Sequence, residues 1–332
     1  MRNNRSGCLN TVAAKKPQKD QMTPFAIAGI QMQVSAGHNN VDAMKHRVEL
    51  ALARFPWLSM ILFSELAAFG PLIGNHPQSI DETIGIFQEV AARHKIWLLP
   101  GSMFENRENG VFNTAVVINP AGKIVGRYDK MFPFTPYESG VEGGTGFLVF
   151  DVPEVGRFGF SICYDIWFPE TTRTLASMGM EVLLHPVLTG TTDRDVELSI
   201  ARATAAQFQC YVFDVNGLGA GGIGRSCVFG PGGTALYEAR GAEEIFPIEI
   251  DLDLVRRQRA VGQNGLGQVL KSFRDRNVEF PVYDNALFNH DYLNNLGPLE
   301  MPVRPQYIDK DHTDQPDFKG KSSAAETFGK TE

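Results

Sequence analysis

The order of apolar patterns along this chain predicts a mixed α/β fold made of two α/β layers packed face to face. Three observations carry that prediction. Residues 25–102 alternate buried-strand runs with helical spacing, as strand, helix, strand, helix, strand. A hairpin then breaks the alternation, and a second set of strands and helices runs from 147 to 251. No repeat with a period of about 20 to 50 residues recurs, which argues against a solenoid or a propeller.

Phe25-Ala26-Ile27-Ala28-Gly29-Ile30-Gln31-Met32 reads as a buried first strand. Asn39 and Asn40 then precede a helical period through Val41, Met44, Val48, Ala51 and Leu52, and Pro56 ends that helix. Residues 58–63 form a second strand that delivers Glu65. A helix over 81–94 places Ile84, Phe87, Val90 and Ala91 on one face, and a third strand follows over 96–102. The runs 113–118 and 123–128 flank Asn119-Pro120-Ala121-Gly122, a turn signature, so they pair as a hairpin ending at Lys130. Residues 147–152 and 158–162 form a further strand pair leading to Cys163.

Phe168-Pro169-Glu170 opens a helix, because proline tolerates the first helical position and an acid there complements the helix dipole. That helix stops near Gly179, and Val182 to His185 is again a strand. A helix over 193–209 has Val196, Leu198, Ile200, Ala201 and Ala205 as its apolar positions, and strands over 211–215, 226–229, 234–237 and 246–251 complete the set. Gly219-Ala220-Gly221-Gly222-Ile223-Gly224 matches a dinucleotide-binding fingerprint, but a strand and turn follow it where a helix is needed to hold a pyrophosphate. The glycines are therefore read as a flexible loop near the rim of the site.

At 332 residues and 43% hydrophobic content, the chain is long enough to bury a large core. A net charge of −7, with no basic run in the folded part, argues against nucleic acid or an anionic membrane as partner. No stretch is apolar for long enough to span a bilayer. Residues 1–24 are basic without a secretory apolar segment and read as a disordered leader; residues 25–284 are the folded domain, and 285–332 an extended arm with a disordered tail. Cys8, Cys163, Cys210 and Cys227 show neither a disulfide framework nor zinc-ligand spacing. No metal and no cofactor are expected, a reducing cytoplasm fits, and the partner sought is a small molecule.

The chemistry centres on three stretches, each ending a strand. Gly159-Phe160-Ser161-Ile162-Cys163-Tyr164-Asp165 raises a thiol above a sheet beside backbone N–H groups, which lower a thiol pKa and can hold an oxyanion. Ile61-Leu62-Phe63-Ser64-Glu65-Leu66 puts an acid past an apolar strand, and Arg127-Tyr128-Asp129-Lys130-Met131-Phe132 does the same for a lysine. Lys130 lies 65 residues after Glu65 and 33 before Cys163.

Together the three stretches, in this order, resemble the nitrilase superfamily of carbon–nitrogen hydrolases, over about Phe25 to Tyr283. The resemblance implies a four-layer α-β-β-α sandwich, a Glu65-Lys130-Cys163 triad, a covalent thioester route, and assembly into a homodimer or a larger even-numbered oligomer. Glu138, eight residues past Lys130, matches a further glutamate of amide-cleaving members, where it orients substrate or lysine. Cys163-Tyr164-Asp165 departs from the Trp-Glu that follows the nucleophile in nitrile-cleaving relatives, and favours amidases. Trp167-Phe168-Pro169-Glu170 is similar to hydrolases of carbamoyl amines, so a ureido substrate stands as an alternative beside a nitrile and a scaffold without activity.

Apolar neighbours of Glu65 are expected to lift its pKa into the range of a working base, and Lys130 is expected to stay charged and stabilise the oxyanion together with the Tyr164 N–H. Tyr164, Trp167, Phe134 and His185 are the expected pocket residues, His185 as a wall or a satisfied core histidine and not as a base; Asp165 is expected to cap the helix that follows. For an acidic substrate, Arg173, Arg194 and Arg202 are the candidate pocket cations.

Overall fold

Apolar alternation along the first strand, β1 (Phe25–Gln31), decides how the layers stack, because Ile27 faces one side of the sheet and Ala26, Ala28 and Ile30 the other. β1 pairs in parallel with β3 (Met60–Phe63), which pairs in parallel with β4 (Trp97–Leu99), while a two-residue strand β2 (Gln33–Val34) follows β1. Helices α1 (Val41–Arg54) and α2 (Asp81–His94) make the crossovers, burying Met44, Val48, Ile84 and Phe87 against Ala28, Ile61 and Phe63. β5 (Ser102–Arg107), β6 (Gly110–Ile118), β7 (Ile124–Asp129) and β8 (Val141–Glu142) extend this sheet, with β6 at its hub. The coordinates are a computed structural model that describes residues 25–135, 137–284 and 289–300.

The second sheet starts with β9 (Leu148–Val152) and β10 (Gly156–Phe160), an antiparallel pair. Parallel pairing continues from β10 to β11 (Val182–Val187) and β12 (Tyr211–Asn216), through helices α3 (Pro169–Ser177) and α4 (Arg194–Phe208). A short strand β13 (Leu218–Gly219) leaves this sheet to pair with β2 of the first region, and β14 (Cys227–Gly230) and β15 (Thr234–Glu238) close the second sheet. β16 (Glu244–Ile250) returns to pair with β1, so both ends of the domain sit in the first sheet. At their crossing Gly29 is a glycine because a Cβ there would lie 2.1 Å from the Phe246 ring.

Three buried clusters make the layers. Ile27, Leu62 and Leu99 from one sheet meet Phe158, Phe160 and Phe213 from the other, while α1 with α2 and α3 with α4 cover the outer faces. This is the four-layer α-β-β-α sandwich. Each fully buried phenylalanine in the central layer contributes roughly 1.5–3 kcal/mol relative to exposure.

Local departures from the sequence reading have physical causes. Ser102–Arg107 is a strand, β5, because its partner β6 supplies the pairing that its mixed Glu-Asn-Arg composition does not advertise. On α4 the buried face is Arg194, Glu197, Ala201, Thr204, Ala205 and Phe208, and Val196 is exposed; two charged residues stand where apolar ones are expected, Arg194 bound to Asp214 of β12 and to Glu197. The glycine-rich loop is anchored, with Leu218 and Gly219 paired to β2 and the Ile223 N–H donating to the Thr189 carbonyl at 2.9 Å.

Past β16 the chain forms α5 (Leu252–Val261) and α6 (Val269–Arg274), and a first compact unit ends at His290. A second unit begins at Asp291 with the short helix α7 (Asp291–Asn294). The basic leader, residues 1–24, and the arm and tail from 301 to 332 lie outside the described residues. Among the described residues no helix is long and apolar enough to cross a membrane.

Candidate active site

Parallel strands β3 and β10 end at the same edge of the sandwich, and both loops beyond them are shaped by backbone at positive φ. Leu66 has φ 51° and Cys163 φ 46°. Such a turn lifts the side chain off the strand axis, which sets Cys163 at the start of a one-turn 3₁₀ helix spanning Cys163–Trp167. Glu65 is tied to the other sheet through its own N–H, which donates to the Val187 carbonyl at 3.2 Å. Gly101 keeps the preceding residue in place: at φ +78° it is a glycine because a Cβ would lie 1.9 Å from the Ser64 carbonyl oxygen.

Lys130 completes the constellation from the end of β7, 1% exposed. Its Nζ lies 2.9 Å from Glu65 Oε1 and 2.7 Å from Glu138 Oε2. Asn113 of β6 donates from Nδ2 to Glu65 Oε1 at 2.8 Å and to Glu138 Oε1 at 3.2 Å. Glu138 is held further by the Phe134 N–H at 2.5 Å. Two carboxylates thus share one ammonium and one amide, and the Cys163 thiol, which lines the same small cavity, donates to the Leu188 carbonyl at 3.8 Å.

Electrostatics follow from burial. Desolvation lifts the Glu65 carboxyl above its usual range, Glu138 adds to the rise, and Lys130 opposes it. Burial pulls Lys130 down, but Glu65, the Cys163 sulfur and Glu138 outweigh it and hold the ammonium protonated. The Cys163 thiol is pushed well up by burial and by Glu65, against the pull of Lys130. Here the sequence reading is corrected: a sulfur enclosed beside a carboxylate rests as a thiol, and neighbouring N–H groups do not reverse that. Cys210 and Cys227 are fully buried in the outer layer, the first pushed up to about 12, as expected of core thiols.

Asp165 sets the distance between the nucleophile loop and the lysine loop. Its carboxylate accepts from the Ile162 N–H at 2.9 Å, the Phe132 N–H at 2.9 Å and the Tyr128 hydroxyl at 2.7 Å. It caps its own 3₁₀ turn, and α3 begins without a side-chain cap, so the expected capping of the following helix is corrected. Burial raises Asp165 to about 6 while those three donors pull it back.

A cavity of about 520 Å³ opens from Cys163 past Tyr164, Trp167 and Leu188 to Glu197. A smaller one of about 160 Å³ holds Glu65, Lys130 and Glu138, and the two meet at Cys163 and Phe134. The expected pocket residues Tyr164, Trp167 and Phe134 therefore line the site, and edge contacts of Tyr164 with Phe134 and Phe168, at 5.0 and 5.2 Å between ring centres, fix the mouth.

His185 does not line either cavity. It is fully buried on β11 opposite Asp214, with Nδ1 2.8 Å from Ser161 Oγ, and burial lowers it to about 4, so it is a neutral core residue. None of the three candidate cations reaches the pocket either. Arg194 is buried on Asp214 and Glu197, Arg202 donates to the Gly233 carbonyl, and Arg173 lies over Phe273 in a separate surface hollow. Asn113 and Glu197 were not anticipated, although Asn113 interrupts an apolar run where a polar residue needs a partner. Among the described residues no His, Cys, Asp and Glu group could hold a metal ion.

A thiol, a buried carboxylate base and a fixed ammonium lining one small cavity can activate a sulfur nucleophile and stabilise a developing oxyanion. The carbon-nitrogen hydrolase family model matches residues 26–260, which include all three groups. A formamidase of Bacillus cereus strain B4264 is 28% identical over 256 residues, covering 71% of this chain and 76% of the relative. A carbon-nitrogen hydrolase from Helicobacter pylori G27 has the same fold, with TM-score 0.68 at 24% identity over 81% of this chain and 99% of that one. A mutant of the Nesterenkonia AN1 amidase from the nitrilase superfamily aligns with TM-score 0.61 at 22% identity, covering 72% and 96%; another structure of that amidase carries acrylamide on its active-site cysteine. Family match, fold and the order of the three strand-end residues agree, and the chain belongs to the carbon-nitrogen hydrolase family.

Proposed function

We propose that the protein hydrolyses a small, non-peptide linear amide to a carboxylic acid and ammonia or an amine. The observation that carries this reading is Lys130, clamped by Glu65 and Glu138 beside Cys163 at the meeting point of the two cavities. Glu65 takes the thiol proton as sulfur attacks the carbonyl carbon. The tetrahedral oxyanion is met by the Lys130 ammonium and by the Tyr164 N–H, which opens a helical turn and has no intrahelical acceptor. Collapse breaks the C–N bond, Glu65 hands its proton to the departing nitrogen, and a thioester stays on Cys163. Water, deprotonated by Glu65, then releases the acid, and the proton returns to sulfur. The cycle balances with water as the only co-reactant.

The name formamidase on the relatives and the Tyr164-Asp165 pair support amides over nitriles. Ammonia release across amides, carbamoyl amines and nitriles tests the reading. Turnover confined to nitriles or to carbamoyl amines would replace it. No turnover, with Cys163 no more reactive to iodoacetamide than Cys210 and Cys227, would identify a scaffold.

A further inference from the structure

The far wall of the larger cavity carries a buried acid that the proposed chemistry does not use. Glu197 of α4 is 4% exposed, yet it lines the same cavity as Cys163. Its Oε2 accepts from Thr189 Oγ1 at 2.5 Å and from Arg194 Nη1 at 3.2 Å. Its Oε1 has only the Trp167 indole N–H at 3.5 Å, beyond an ordinary N–H···O distance. Arg194 does not neutralise this acid, because its guanidinium is also bound to Asp214 and to the Arg225 carbonyl. Neighbouring His185 is neutral, so one arginine faces two carboxylates and a negative charge is left over at the cavity wall. Among the described residues no lysine, arginine or histidine lines this cavity, and its other acid is Asp193.

A buried, incompletely compensated carboxylate with an open lone pair, in a cavity whose other lining is aromatic and aliphatic on one side and threonine-rich around Thr189, Thr191 and Thr192, is costly unless a ligand completes it. Desolvation and Asp214 both push Glu197 up, as an acid short of a cation should behave. The N-terminal turn of α4 does not supply the missing charge, since the Arg194, Val196 and Glu197 N–H groups donate to the Thr191 and Asp193 carbonyls. The cavity volume, about 520 Å³, also far exceeds what a one-carbon amide fills.

We infer that Glu197 is the specificity residue of the site and binds a protonated amine carried by the substrate several methylenes from the scissile carbonyl, making ω-amino amides the favoured class. The alkyl chain lies along Trp167 and Leu188, and the ammonium donates to Glu197 Oε1. This rests on the amide reading above.

The test compares ω-amino amides of about four to six carbons with alkyl, ω-hydroxy and ω-carboxy amides of equal length, using the full chain. At the best length the amino amide should exceed the alkyl amide by about tenfold or more in kcat/KM, mostly through KM, with the carboxy amide poorest. Glu197→Gln should bring the amino-to-alkyl ratio near unity, and Glu197→Asp should keep part of it. A wild-type enzyme that takes the hydroxy or alkyl amide as well as the amino amide, or a ratio that survives Glu197→Gln, would overturn the inference. Calorimetric binding to Cys163→Ala separates the two readings. Tighter binding of the amino amide without any turnover by the wild type keeps the anchor and removes the amide reading; alkyl amide turnover with no amine preference in either assay does the reverse.

Discussion

Replacing Glu138 by glutamine keeps the size of the side chain but removes the charge 2.7 Å from Lys130 Nζ. At an effective dielectric near 20 that contact corresponds to a gross attraction of about 6 kcal/mol, most of which desolvation already offsets. What is lost is better set by a hydrogen bond to a charged group, about 1.5–3 kcal/mol. Lys130 keeps Glu65 at 2.9 Å, so the ammonium stays charged but is fixed by one carboxylate in place of two. The same oxygen of Glu138 accepts the Phe134 N–H while the other accepts from Asn113, and a glutamine, with one acceptor oxygen and one N–H₂, cannot serve both sides, so the loop that borders both cavities is held less firmly. Misplacement of the oxyanion donor falls on the transition state, and kcat/KM for the best amide should drop roughly a hundredfold, equivalent to about 2.7 kcal/mol. Steady-state ammonia release measures this. Alkylation of Cys163 by iodoacetamide is the control, because Glu65 remains to take the thiol proton; it should change far less. Normal amide turnover by Glu138→Gln would reduce Glu138 to a loop residue and leave Tyr164-Asp165 alone to argue for amides.

Cys163→Ala should abolish turnover with unfolding temperature nearly unchanged; activity above about one part in a thousand would contradict a covalent route. Asn113→Ala removes the amide that both carboxylates share, so kcat/KM should fall by roughly ten- to a hundredfold and urea unfolding should report a loss of about 1–3 kcal/mol; an unchanged urea midpoint would remove Asn113 from the network. The fold holds His185 neutral, with a pKa lowered to about 4 against about 6.5 when unfolded. Its stabilisation is therefore complete above about pH 6.5 and is lost as pH falls toward 4, amounting to about 3 kcal/mol. Unfolding free energies of wild type and His185→Gln should converge by that amount over this window, and parallel curves would refute the assignment.

What could be read from the sequence was local, and what could not was partnership. Glu65 and Cys163 each follow an apolar run short enough to be a strand, and Lys130 follows the second arm of a hairpin marked by Asn119-Pro120-Ala121-Gly122, so composition and turn signal mark the ends of β3, β7 and β10. Helix α2 was read with its observed bounds, Asp81–His94, because its apolar face follows the helical period throughout. On α4 the same rule failed. Arg194 and Glu197 occupy the buried stripe, and the burial of Arg194 depends on Asp214 from β12, a partner 20 residues away whose approach no periodicity encodes. Arg194 was weighed as a pocket cation for the same reason: composition shows a charge but not what consumes it. The local pattern of Asp165 fitted a helix cap, while two of its three donors come from the lysine loop.

The thiol is the most instructive case. A cysteine at a strand end beside backbone N–H groups is expected to be acidic, yet Cys163 and Glu65 are both pushed up, because they are enclosed together with a single ammonium. Lys130 can balance one negative charge fully and Glu138 already shares it. The sulfur therefore keeps its proton at rest, and the thiolate forms only as sulfur bonds to carbon and the negative charge moves to an oxygen facing Lys130. Such a nucleophile is spared the standing reactivity of an exposed thiolate, and it makes the position of Lys130, set by Glu138 and Asn113, the quantity on which the rate depends.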